Sequence, residues 1–258
     1  MAENKHTIVE GYTLPSKSKL YSKQFNPAVE LRPMTVREEM RRNSQTNRPY
    51  KMLADIIQDC LITKLPINVY DMCIGDYEYL LHKLRVVSYG PDYKMTVICP
   101  VCGKMEDKTI DLDSLPIHEY TDAEWNEEVL SLLTLTLPVS GKLVTLKYQT
   151  PRMLDDIAIR KAELEKKKID YDPTMQLTLQ ACIDTVDGEP MSYAQLEGFT
   201  QKLQVRDAKA ILKNINKLTR KVGLDTTIDH TCAGCGFEVQ TNFRFGREFF
   251  EPVEDWWW

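Results

Sequence analysis

Residues 99–103 read CPVCG and residues 232–236 read CAGCG. Each is a pair of cysteines two residues apart followed by a glycine. That spacing makes a tight turn which presents two thiolates to one metal ion, and the glycine can take the left-handed backbone such a turn needs. A tetrahedral site needs four ligands, so each motif is half of one, and Cys99, Cys102, Cys232 and Cys235 together complete it. With four thiolates no position is left for water or substrate, which makes the expected metal structural. Zinc suits the set best. Iron in a rubredoxin-like site uses the same ligands and is the less favoured choice. The competing reading is two unrelated pairs of thiols; His230 is a weak substitute ligand.

The sequence around each motif reads as strand. YKMTVI (93–98) and KTIDL (108–112) flank the first turn, and DTTIDHT (225–231) and FEVQTNFRF (237–245) flank the second. Both cysteine pairs therefore sit on hairpin tips, which disfavours thiol–disulfide chemistry, since a redox CxxC opens a helix in a thioredoxin-like unit. The metal would tie residue 102 to residue 232 across everything between them. Closing a loop that long removes on the order of 5 kcal/mol of unfolded-chain entropy, comparable with the stability of a whole domain. The two hairpins are predicted to lie side by side.

Further out, Thr35 with Glu38 forms a capping box that starts a helix. Leu53, Ile56, Ile57, Cys60 and Leu61 follow the 3.6-residue period, as do Tyr77, Leu80, Leu81, Leu84 and Val87. LLTLTLPVSGKLVTLKY (132–148) reads as a hairpin turning at Ser140–Gly141, and Thr150–Pro151 opens a second helical segment. Its last helix carries Ala208, Ile211, Leu212, Ile215 and Leu218 on one face. The expected fold is α+β, a helical core with β-hairpins, two of whose tips join in a zinc-ribbon-like four-cysteine site. Residues 1–30 are expected to be an extended arm and 31–247 one domain, with helices over 35–88 and 151–221 and hairpins over 93–112, 132–148 and 225–245. Residues 248–258 are expected to be an aromatic docking tail.

A chain of 258 residues with 43% hydrophobic content can bury a core, and its net charge of −5 is well mixed in sign. That charge disfavours nucleic acid and acidic membranes as partners. The N-terminus has no apolar run resembling a signal peptide, and nothing approaches the roughly 20 apolar residues of a membrane span. The chain is expected to stay in the cell that makes it, where seven cysteines serve burial or metals rather than disulfides. Cys60, Cys73 and Cys182 read as core packing, and Lys166–Lys168 as a solvated helix face. The four histidines fit no metallohydrolase motif, and no P-loop, GxSxG or dinucleotide-binding glycine pattern occurs. The chain is not expected to be an enzyme.

The sequence ends FFEPVEDWWW (249–258). Phe249, Phe250, Trp256, Trp257 and Trp258 on a short acidic leash read as anchors for pockets on a neighbouring subunit. Packing of the indoles against the chain's own surface is the competing reading.

TLPSKSKLY (13–21), ELRPMTVREEM (30–40), LADIIQDCL (53–61), LPINVYDMCIGDYEYLLHKLRVVSYGPDY (65–93) and IDLDSLP (110–116) resemble, in order and spacing, the T4-like bacteriophage baseplate hub protein family. The resemblance is clearest over residues 13–120. It implies a structural or assembly role without catalysis, in many copies of a symmetric contractile-tail baseplate. Other baseplate and tail proteins would be the partners, met in the host cytoplasm during assembly and then in the virion. A hub assembly chaperone that leaves before maturation is the closest variant, and a zinc-ribbon nucleic-acid-binding factor or a rubredoxin-like electron carrier are the alternatives of other classes. The cysteine site and the tail rest on this sequence alone.

Overall fold

The structure, a computed structural model, describes residues 9–121, 125–242, 245 and 247–250. Its order is β1 (Glu10–Thr13), β2 (Ala28–Leu31), α1 (Val36–Arg42), α2 (Pro49–Cys60), α3 (Ile74–Tyr89), β3 (Asp92–Ile98), β4 (Met105–Asp111) and β5 (Ile117–His118). There follow α4 (Leu130–Leu133), β6 (Thr134–Thr136), β7 (Leu143–Leu146), α5 (Pro151–Lys166), α6 (Thr174–Cys182), β8 (Ile183–Val186) and β9 (Glu189–Pro190). The chain continues through α7 (Tyr193–Lys202), α8 (Val205–Arg220), β10 (Gly223–Leu224), β11 (Thr227–Thr231) and β12 (Glu238–Asn242). The fold is the expected α+β mixture of helices with small antiparallel hairpins.

The helix starts follow from local chemistry. Glu38 accepts the Thr35 backbone N–H at 2.7 Å and pairs with Arg32 at 3.0 Å. Thr150 accepts from the Met153 N–H at 3.3 Å, with Pro151 in the first turn where its missing N–H costs nothing. On α8 the buried residues Ala208, Ile211, Ile215 and Leu218 form the predicted face. Each of its larger side chains contributes roughly 2 kcal/mol before the cost of ordering the chain.

The helix α3 is the axis of the larger core. Its predicted face, Tyr77, Leu80, Leu81 and Leu84, is buried, but so are its polar residues Asp76, His82, Lys83 and Arg85. Together these hold several other segments of the chain. Asp76 accepts from the Ser16 N–H at 2.9 Å, the Ser16 hydroxyl at 2.5 Å and the Tyr21 hydroxyl at 2.6 Å. His82 donates through Nε2 to the Leu112 carbonyl at 2.9 Å, and Lys83 pairs with Asp113 at 2.9 Å. Arg85 donates to the carbonyls of Gly90, Asp92 and Phe249 at 2.8, 3.1 and 3.1 Å. A helix expected to be solvated on one side is instead enclosed there too, with Asp76, Lys83 and Arg85 partnered and His82 bonded through one ring nitrogen.

Several expectations are corrected here. Residues 10–31 are a hairpin rather than an extended arm; β1 pairs with β2, and Leu14, Val29 and Leu31 enter the core because Asp76 holds the loop between the strands. Residues 1–8 of the expected arm lie outside the described residues. Leu133 closes the short helix α4, and β6 and β7 are two strands of a four-stranded sheet ordered β6-β7-β8-β9. The segment 151–221 is therefore interrupted by the β8–β9 hairpin. Its turn, Asp187–Gly188, has both residues at positive φ (54° and 84°), so the chain reverses in two residues with Val186 opposite Glu189. This sheet packs with Leu179, Cys182, Leu196, Ala208, Ile211 and Ile215 to make the second core.

Phe249 and Phe250 are fully buried in the larger core, their rings 5.4 Å apart and packed on Tyr93 and Tyr89. They anchor the chain to itself rather than facing a neighbour, since Arg85 binds the carbonyl between them. Trp256, Trp257 and Trp258 lie outside the described residues.

Candidate metal centre

The hairpin β3–β4 runs in register from Asp92↔Asp111 to Ile98↔Met105, and β11–β12 from Thr227↔Asn242 to Thr231↔Glu238. At each tip the chain makes the same knuckle. Cys99 N–H donates to the Lys104 carbonyl and Gly103 N–H to the Cys99 carbonyl, both at 2.9 Å; Cys232 N–H donates to Phe237 at 2.9 Å and Gly236 N–H to Cys232 at 2.8 Å. Gly103 and Gly236 share a φ of 73°, which a residue with a Cβ rarely adopts. The matching motifs thus fold by matching local geometry.

The two tips meet. All four sulfurs lie within 4.8 Å of one another, with Cys99 Sγ 3.7 Å from Cys235 Sγ and Cys102 Sγ 3.6 Å from Cys232 Sγ. Disulfides need about 2.05 Å, and the thiols are free. Four sulfurs each about 2.3 Å from a tetrahedral zinc ion would stand about 3.8 Å apart, so the donor set fits. Cys99 and Cys232 are buried with Val97 and Val239, whereas Cys102 and Cys235 are exposed. Amides of the turn, Cys102 first, pull the Cys99 thiol down to about 7. At Cys235 the Phe237 amide acts in the same sense, but desolvation and the three neighbouring thiols outweigh it and push this thiol up to about 12. Four thiolates at this spacing would need a cation among them.

A polar layer joins the hairpins beside the sulfurs. Glu106 accepts from His230 Nε2 at 2.7 Å and from the Ala233 N–H at 3.1 Å, and pairs with Lys104 at 3.0 Å. Lys104 and His230 hold its carboxyl down at about 2. His230 therefore supports the knuckle rather than joining the thiol cluster. A Cβ on Gly234 would come within 2.9 Å of Lys104 Cδ and 3.5 Å of Cys102 Sγ, so the second turn passes directly over the first. The sequence reading missed Glu106 and Gly234, which are ordinary residues locally and acquire their roles only when the tips meet. Cys60, Cys73 and Cys182 are buried away from the cluster; desolvation pushes Cys60 and Cys182 up to about 11.

Around the sulfurs the tips are apolar and open. Ile98, Val101, Met105 and Phe237 are 45–66% exposed, and Ile98 and Met105 stand opposite one another at the end of the ladder. No described helix is long and apolar enough to cross a membrane.

The four-thiol cluster thus brings together parts of the chain 130 residues apart. The chain matches the family described as T4 bacteriophage base plate protein over residues 7–251, and it belongs to that family. Membership of that family supports a structural role in a phage baseplate. No curated protein and no solved structure matches it.

Proposed function

We propose that this protein is a component of the hub or inner baseplate of a contractile tail, held together by one structural zinc ion and present in several copies. Family membership carries the baseplate role, and the sulfur spacing supports the metal. Cys99, Cys102, Cys232 and Cys235 would hold the ion, which contributes charge neutralisation and a cross-link between the halves of the chain. Neighbours are held through the open apolar knuckle tips and through Trp256–Trp258. Contiguous exposed apolar side chains are what interfaces, not solvated surfaces, use.

The alternative, a hub chaperone absent from the mature particle, differs in one observable. Quantitative mass spectrometry of purified virions should find the chain at a fixed ratio to known baseplate proteins; its absence there, with presence in assembly intermediates, would establish the chaperone instead. The nucleic-acid-binding alternative is disfavoured by the hairpins' charges, with Asp92, Glu106, Asp107, Asp111, Asp229 and Glu238 outnumbering Lys94, Lys104 and Lys108.

A further inference from the structure

Cys102 Sγ contacts Cys232 Sγ at 3.6 Å and Cys99 Sγ contacts Cys235 Sγ at 3.7 Å, and both contacts cross from one hairpin to the other. The two pairs share no atom, so both can close at once. Within each pair the partners differ in exposure: Cys102 and Cys235 are exposed, whereas Cys232 and Cys99 are 1% and 3% exposed. Each tip thus sets its exposed sulfur against the buried sulfur of the other. Cys60, Cys73 and Cys182 are buried and lie outside the cluster.

We propose that Cys102 and Cys235 are oxidation sites through which the four thiolates convert to two disulfides between the hairpins, Cys102–Cys232 and Cys99–Cys235, with release of the metal. The release rests on the zinc reading; the pairing rests on the sulfur contacts alone. The co-reactant is a peroxide. Cys102 Sγ attacks one oxygen of hydrogen peroxide: an S–O bond forms, the O–O bond breaks, and the departing hydroxide takes up a proton as water. Cys232 Sγ then attacks the Cys102 sulfur, so that an S–S bond forms, the S–O bond breaks and a second hydroxide leaves as water. The two sulfurs lose two electrons and the peroxide gains them. Cys235 and Cys99 repeat the sequence. In sum, four thiolates around a zinc ion, two hydrogen peroxide molecules and four protons give two disulfides, a free zinc ion and four waters.

The geometry asks little of the fold. Bringing each pair to bonding distance closes about 1.6 Å, within the reach of side-chain rotation at a hairpin tip. After the first bond two thiolates remain, half the set that a closed zinc site uses. The cross-links still span 130 and 136 residues, so the hairpins stay joined while the chemistry that joins them changes. The knuckles modify only one another, which separates this step from exchange with a substrate. Thiolates persist in the reducing cell and disulfides outside it. A baseplate chain made in a cell and carried out of it in a particle meets both conditions, and its staple serves in each.

The test uses the purified full chain, loaded with zinc and treated with hydrogen peroxide. Free thiols should fall from seven to three per chain while one zinc ion is released to a chromogenic chelator. Cys99 and Cys102 share one tryptic peptide, 95–104, and Cys232 and Cys235 another, 222–244. Bonds between the hairpins therefore join the two peptides, and bonds within a motif leave them apart. Fragmentation of the joined peptides should assign Cys102–Cys232 and Cys99–Cys235. With limiting peroxide, dimedone should trap sulfenic acid on Cys102 and Cys235 ahead of Cys99 and Cys232. The oxidised chain should keep its melting temperature in a chelator that lowers that of the reduced chain. Disulfides within the motifs, the crossed pairing Cys99–Cys232 with Cys102–Cys235, or four thiols that survive peroxide overturn the proposal. The stated disulfides formed in a chain that binds no zinc would remove the zinc reading and uphold the pairing.

Discussion

Gly75, at the start of α3, and Gly223, just beyond α8, meet backbone against backbone. A Cβ on Gly75 would lie 2.1 Å from the Val222 carbonyl oxygen, and one on Gly223 would lie 2.9 Å from Gly75 Cα. Gly223 also has a φ of 119°, closed to most side chains. This contact ties α3 to the strand leading into β11, and so fixes where the second knuckle begins. Gly75→Ala is expected to destabilise the protein by about 3 kcal/mol, because the atoms in the way are main chain and cannot rotate aside. For a chain of this size the melting temperature should fall by roughly 10 °C. A melt within a degree or two of the parent would show that the two segments part easily.

Among the described residues, Arg85 is a buried cation bonded to three carbonyls. Arg85→Met keeps much of the volume but leaves those carbonyls unpaired, at a cost of about 3 kcal/mol in urea unfolding. Limited proteolysis should then cut near Phe249 first, since its carbonyl bond is the longest-range of the three. Cleavage elsewhere, with Phe249 still protected, would contradict the anchoring role.

His82 is neutral in the fold. Burial, reinforced by Lys83, lowers its pKa to about 4, and with Nε2 donating to Leu112 its Nδ1 has no partner among the described residues. The unfolded chain binds a proton near pH 6.5 and the folded one only near 4, so stability is full above pH 6.5 and declines as the pH falls between those values. The loss should approach about 3 kcal/mol at pH 4. Urea unfolding of the parent and of His82→Gln from pH 7 to 4.5 tests this; equal pH slopes in the two would remove His82 as the cause.

The metal should couple the hairpins. Elemental analysis is expected to give one zinc per chain, lost in the Cys99→Ser/Cys232→Ser double variant. Chelation should expose β3–β4 and β11–β12 to protease together and lower the unfolding temperature, as expected for a cross-link over 130 residues. A chelated protein that keeps one hairpin protected while the other is digested would mean that the tips fold independently.

Much of the molecule is written locally. Thr35–Glu38, Thr150–Pro151 and the two CxxCG knuckles were legible because each depends on hydrogen bonds within five residues, which the residue types dictate wherever they occur. The face of α8 was legible for the same reason, since a 3.6-residue period survives any context. The β8–β9 hairpin was equally legible in its Asp187–Gly188 pair, and the helical reading of its surroundings passed over it. The family resemblance read from the first half of the chain also held, across residues 7–251.

Other features have no local signature. Nothing within a few residues of Asp76 or Arg85 shows that the first will hold the Ser16 loop and the second the Phe249 carbonyl; both look like the solvated side of an amphipathic helix. The polar N-terminal segment looks extended until Leu14, Val29 and Leu31 find a core assembled from residues far along the chain. The sequence by itself determined the two half-sites, the capped helices and the α+β class, because short-range sterics and hydrogen bonds decide them. Only the tertiary structure decided that the half-sites meet, that α3 is buried on every side and that Phe249 and Phe250 point inward, because those outcomes depend on which distant surfaces exclude water together.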